Sequence, residues 1–129
     1  MKIIDGTNAI LGRLASYSAK EALKGEDLII LNCEKVIITG NKKNIEKEFL
    51  EKRGRVGSGQ GGPKVSRSVD KIVRRAIRGM VPHRYKRGKD ALRKIKCYVG
   101  IPKEFENSKK IVAGKEKPIK FIYIGEILK

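Results

Sequence analysis

The chain has 129 residues, enough for one domain with a respectable apolar core and no need of disulfides or metals. Hydrophobic residues make up 40%, too many for a wholly disordered chain, while charged residues reach 35%, above the usual quarter. The formal net charge of +17 is self-repulsive in the free protein, so it implies a neutralising partner: nucleic acid, an anionic membrane or an acidic protein.

Taken in chain order, residues 2–5 (KIID) predict a short strand, closed by the turn-forming Gly6-Thr7-Asn8. Leu11, Leu14, Ala15, Ala19, Ala22 and Leu23 then share one face at helical spacing, and Gly25 is a suitable stop. Residues 27–33 (DLIILNC) are a continuous apolar run after an acid, which suits a strand buried on both faces of a parallel sheet. Strand, helix and strand within about thirty residues make a small βαβ unit. Residues 36–39 (VIIT) predict another strand, and residues 42–52 a charged helix with a narrow stripe of Ile45, Phe49 and Leu50.

Residues 54–63 hold five of the 14 glycines, a density that excludes regular structure. Residues 52–68 are therefore expected to include a flexible, basic, glycine-rich loop. Residues 69–80 predict an amphipathic helix, with Val69, Ile72, Val73, Ala76, Ile77 and Met80 inward and Lys71, Arg74, Arg75 and Arg78 outward. A basic connector (83–88), a short helix (89–95) and a strand (96–99) follow. Residues 103–118 read as loop, and 119–124 as a last strand or arm. The expected fold class is α/β: three layers, α/β/α, around a mainly parallel central sheet of about four strands, with a basic RNA-binding extension.

The charge is localised. Residues 52–96 contain sixteen Lys and Arg against only Asp70 and Asp90, so this third of the chain carries nearly all the excess. An ordinary solvated surface would interleave both signs. The candidate RNA-binding residues are Lys52, Arg53, Arg55, Lys64, Arg67, Arg74, Arg75, Arg78, His83, Arg84, Lys86, Arg87, Lys89, Arg93 and Lys94. Arginine suits this task because its planar guanidinium donates to phosphate in pairs.

Motifs for other chemistry are weak. Gly57, Gly59 and Gly62 satisfy GxGxxG, but a dinucleotide fingerprint needs a strand before it and a helix at once after it. Here a charged helical segment precedes and Pro63 follows. A P-loop also fails, since Gly62 leads into Pro63-Lys64. His83 is the only histidine, with no nucleophile or orienting carboxylate beside it in sequence. Cys33 and Cys97 stand alone in apolar runs and read as reduced core thiols. No catalytic residue, cofactor, metal or small-molecule substrate is expected. The N-terminus MKIIDGTN meets an acid and a turn after two apolar residues, so no signal peptide is expected, and no apolar stretch has the length of a membrane span.

Among polyanions, a membrane is disfavoured because the basic helix has no Trp or Phe to insert. No helix-turn-helix, zinc finger or basic zipper pattern points to DNA. The aromatic motif of single-strand readers is missing too, with aromatics at 5%. Binding by charge and shape to folded RNA remains. The alternative from another class is a small nucleotide-dependent enzyme that uses the glycine loop.

The strings LGRLAS (11–16) and NCEKVIITGNK (32–42) resemble the N-terminal half of large-subunit ribosomal protein family thirteen. The stretch RGMVPHRYKRGKDALRKIKCYVGIP (78–102) is similar to that family's most characteristic region in its archaeal and eukaryotic form, and IKFIYIGEI (119–127) fits more loosely. The resemblance implies a three-layer α/β fold, binding to large-subunit rRNA, neighbouring ribosomal proteins as partners, a role early in subunit assembly, a cytoplasmic location in the ribosome and no catalytic activity. It implies that Arg78, Gly79, Met80, Val81, Pro82 and His83 lie against RNA, with Met80 and Val81 also suited to packing. The short form, without the C-terminal helical extension of eukaryotic members, points to an archaeal source.

Overall fold

A computed structural model describes residues 1–55 and 65–127. The N-terminal βαβ unit is as predicted: β1 (Lys2–Asp5), α1 (Leu11–Leu23) and β2 (Leu28–Leu31), with the two strands paired in parallel, Ile3 opposite Ile29 and Ile4 opposite Ile30. All four residues of β2 are buried, which is what an unbroken apolar run requires. The strand ends before Cys33 because Asn32 turns into the left-handed region (φ 54°). Its side-chain amide then donates to the Asp5 carboxylate at 3.0 Å, and Thr7 adds donors to the same oxygen from its backbone N–H (3.0 Å) and its hydroxyl (2.7 Å). Cys33 to Lys35 form a 3-10 turn, and β3 (Ile37–Thr39) follows.

Helix α2 (Lys42–Gly54) opens with the Asn41 side chain accepting from the Lys43 N–H at 3.1 Å. It runs two residues past its predicted end and buries none of its side chains. Next come α3 (Val69–Arg78), α4 (Lys86–Arg93), β4 (Ile95–Cys97), β5 (Ile111–Val112), β6 (Phe121–Tyr123) and α5 (Ile124–Ile127).

The central sheet has four strands in the order β4-β2-β1-β5, every pair parallel. A separate pair, β3 with β6, is antiparallel. Residues 103–118 are not simply loop. They hold a 3-10 turn (Lys103–Phe105) and β5, which pairs with β1 through Ile111 opposite Ile4. Two residues are too few to show a period, so only the pairing with β1 reveals the strand.

Side-chain alternation divides the core. Ile4, Leu28, Ile30 and Ile95 face Leu14, Ala15, Ala19 and Ala22 of α1, Val73 and Ile77 of α3, and Ala91 of α4. Ile3, Ile29 and Leu31 point to the opposite face, where Tyr98 and Phe105 cover them. The three-layer α/β/α arrangement therefore holds, with unequal outer layers. Cys33 and Cys97 are both free thiols, the first fully buried. A hydrogen bond with Cys97, reinforced by burial, pushes the Cys33 thiol pKa up and keeps it protonated. At the opposite end of the sheet the buried carboxylate of Glu21 accepts from the ammonium groups of Lys2 and, at 3.1 Å, Lys24, which ties β1 to α1.

Candidate nucleic-acid interface

The interface is built on α3. Ser68 precedes the helix in extended conformation, and Asp70 sits in the first turn, where a negative charge complements the helix dipole. Val73 and Ile77 are fully buried, and Val69, Ile72 and Ala76 pack partly against the same core. Fully burying side chains of this size contributes about 1.5–3 kcal/mol each, so the inner face holds the helix to the sheet. Lys71, Arg74, Arg75 and Arg78 are left exposed on the other face. The apolar pattern does not continue to Met80. Gly79 caps the helix, its N–H donating to the Arg75 carbonyl at 3.2 Å, and the chain bends. Met80 becomes 47% exposed and Val81 takes the buried place. The helix thus ends two residues before the predicted 80, and Gly79, itself in right-handed helical conformation (φ −65°), leads into the turn.

Residues 79–85 form a run of tight turns, with His83 N–H donating to the Val81 carbonyl at 2.8 Å and Tyr85 N–H to the Pro82 carbonyl at 3.0 Å. Helix α4 then starts at Lys86, three residues before its predicted start, and ends at Arg93, so Ile95 enters the core as the first residue of β4. The cause is Gly88. It is buried in the first half of α4, and a Cβ there would overlap the Pro82 carbonyl oxygen. The turn thus lies directly on the helix at a point where only glycine fits. The sequence places this residue at the end of the basic connector 83–88, where its glycine carries no sign of a contact.

The structure brings five of the predicted basic residues, Lys52, Arg55, Arg74, Arg75 and Arg78, together along two adjoining grooves. Lys71, Arg74, Arg75 and Arg78 line a groove that reaches Leu92 of α4. Lys52 and Arg55, at the end of α2, line a second groove with Lys71 and Arg75, floored by Leu11, Ile72 and Ala76 and walled by Phe49. Lys71 belongs to both grooves yet is absent from the predicted site residues. Its spacing to Arg74, Arg75 and Arg78 (i+3, i+4, i+7) carried the signal. Arg67, Arg84, Lys86, Arg87 and Lys89 are exposed. His83 is half-buried in the turn.

Other members of the predicted set have local duties. Arg74 Nη2 donates to the Leu92 carbonyl at 3.2 Å, in the last turn of α4. The Arg53 guanidinium lies 6.0 Å from the centre of the Phe49 ring. Arg93 pairs with Asp90 at 3.8 Å. Lys94 is drawn to another part of the molecule, its Nζ donating to the Gly25 carbonyl at 3.2 Å. Lys64, with the glycines at 57, 59 and 62, lies outside the described residues.

Among the described residues, Lys52, Arg55, Arg67, Lys71, Arg74, Arg78, Arg84, Lys86, Arg87 and Lys89 make no ion pair with a carboxylate. Among the described residues, no three His, Cys, Asp or Glu side chains converge as a metal site would require. No described helix is long and apolar enough to cross a membrane.

The sequence model of one family, Ribosomal protein L13, matches residues 1–104. The chain is 42% identical to the large ribosomal subunit protein uL13 of Methanocaldococcus jannaschii over 132 residues, covering 100% of this chain and 96% of that one. It is 41% identical to the protein of the same name in Methanococcus maripaludis, covering 98% and 94%. The counterpart in Thermoplasma volcanium is 41% identical over 84% of this chain and 79% of its own.

Proposed function

The chain belongs to the Ribosomal protein L13 family, and from that premise we propose that it holds its place in the large ribosomal subunit by binding rRNA through the α2–α3–α4 basic face. It is a structural constituent of the large subunit, of the archaeal type, and works in the cytoplasm as part of the ribosome. On this reading residues 1–129 act as one rRNA-binding domain that supports early subunit assembly and meets neighbouring ribosomal proteins on its remaining surfaces.

The observation that carries the reading is the row of arginines and lysines on α3 and α4. Of these, Lys71, Arg74, Arg78, Lys86, Arg87 and Lys89 are exposed and make no ion pair with a carboxylate among the described residues, and they are fixed by helices whose opposite faces lie in the core. A polyanion supplies the missing charge, and it does so with little ordering of the backbone. Arg74 and Arg75 lie four and three residues before Arg78, so each shares a side of the helix with it, and together they meet phosphates of a single RNA element. The nucleotide-enzyme alternative relies on the glycines at 57, 59 and 62, which lie outside the described residues; what speaks against it is the family, whose matched relatives are named large ribosomal subunit proteins.

The test is the triple replacement of Arg74, Arg75 and Arg78 by Gln. These side chains lie outside the core, so the far-ultraviolet circular dichroism spectrum is expected to stay that of the parent. Filter binding to purified large-subunit rRNA is expected to weaken by an order of magnitude or more at about 0.1 M salt, since each lost phosphate contact lowers the electrostatic term. Unchanged binding would move the interface elsewhere on the molecule.

A further inference from the structure

The basic face is not purely electrostatic. Of the seven Phe and Tyr residues, Tyr98 with Phe105 and Phe121 with Tyr123 form ring pairs, and Phe49 lies under Arg53. Tyr17 leans over an apolar cleft with Ile10 and Leu14. Tyr85 does none of these. It is 71% exposed, the most exposed aromatic among the described residues, and makes no ring contact or side-chain hydrogen bond among them. Exposing an aromatic ring to water is costly when a folded chain can cover it, and this one stands between Arg84 on one side and Lys86 and Arg87 on the other.

We propose that Tyr85 is a stacking platform for an unpaired base of the rRNA, with Arg84, Lys86 and Arg87 holding the phosphates that flank that base. This rests on the rRNA-binding reading above and adds a contact that charge alone does not provide. Three observations carry it. The first is the exposure of the ring within a cluster of cations, which admits a π-face that travels with negative charge and disfavours a purely apolar protein segment. The second is rigidity. Tyr85 N–H donates to the Pro82 carbonyl at 3.0 Å, its own carbonyl accepts from Lys89 N–H at 3.1 Å as the cap of α4, and the whole turn is seated on Gly88. A platform mounted on fixed backbone loses little freedom when a base lands on it. The third is Met80, at the start of the same turn and 47% exposed, a second apolar group on a surface otherwise made of charge. Most bases of folded RNA are paired. The site therefore selects a loop or bulge, where a base can be splayed out.

The experiment compares the full chain with Tyr85→Ala, Tyr85→Phe and Arg84→Gln, each bound to purified large-subunit rRNA over a salt series, with dimethyl sulfate probing of the bases. Tyr85→Ala is expected to weaken binding about five- to hundredfold at every salt concentration, leaving the slope of log affinity against log salt unchanged. One or a few bases protected by the parent are expected to become reactive. Tyr85→Phe keeps the ring and is expected to keep both affinity and protection. Arg84→Gln is expected to lower the salt slope by about one. Parental affinity and footprint for Tyr85→Ala would overturn the proposal. So would a defect confined to subunits reconstituted with other ribosomal proteins, which would make Tyr85 a protein contact. Absence of rRNA binding by the parent would overturn the function reading itself, a result distinct from either.

Discussion

At the scale of single residues, the basic side chains differ in what they are free to do. Arg74 spends one guanidinium nitrogen on the Leu92 carbonyl and Lys94 its ammonium on Gly25, whereas Arg78, Arg84 and Lys86 have no partner among the described residues. Composition counts all of these equally. Only the fold separates a lysine bonded to the turn after α1 from an arginine that faces outward. Asp5 shows the same point for an acid. Burial works against its charge, but hydrogen bonds from Asn32 and Thr7 outweigh it and hold its pKa below the ordinary carboxylate value. A carboxylate depressed in the folded state contributes stability that is full above the unfolded pKa and is lost as pH falls through the folded one. Asp5→Asn is therefore expected to lower the melting temperature at neutral pH. It is also expected to flatten the loss of stability on acidification below about pH 4. Melting curves of both proteins over a pH series check this, and parallel acid profiles would contradict it.

At the scale of elements, the helix α3 and the turn behind it form one device: the helix supplies the arginines and the turn sets where α4 and its lysines lie. Gly88 is the joint. Gly88→Ala is expected to push the Pro82 carbonyl away and cost about 1–3 kcal/mol, in the range of overpacked cores. It is also expected to weaken rRNA binding, because His83, Arg84 and Tyr85 ride on the displaced turn. Thermal unfolding and filter binding measure the two effects, and a neutral result in both would show that the turn is not held there. Much of this was legible in the sequence: β1, α1, β2 and the inner face of α3 follow from apolar period and, for α1, from the stop signal at Gly25. What escaped had physical reasons. Met80 extends the helical spacing of Ile77, but the helix had already ended at Gly79. The start of α4 was hidden in HRYKRG, where charge suggested a connector while Gly88 required helix packing. Strand β5 has only two residues in a lysine-rich stretch, and exists because β1 offers it an edge.

At the scale of the whole molecule, the fold sorts charge. The sheet takes the apolar strands, α1 and the inner faces of α3 and α4 close one side, and the excess of positive charge collects on the outer faces of α2, α3 and α4. Such an arrangement repels itself until a polyanion arrives, so the bound state is the one the sequence is built for. The identification of the side was legible from the sixteen basic residues between 52 and 96. The layout of two grooves meeting at Lys71 was not, because it depends on how α2 and α4 flank α3 in space. We propose that rRNA binds this face mainly by displacement of counterions from its phosphates. The most direct measurement is the affinity of the intact protein for purified large-subunit rRNA as a function of salt. If about six to ten phosphates are contacted, affinity is expected to fall by roughly three to five orders of magnitude between about 50 and 200 mM monovalent salt, and an affinity that hardly changes over that range would contradict the account.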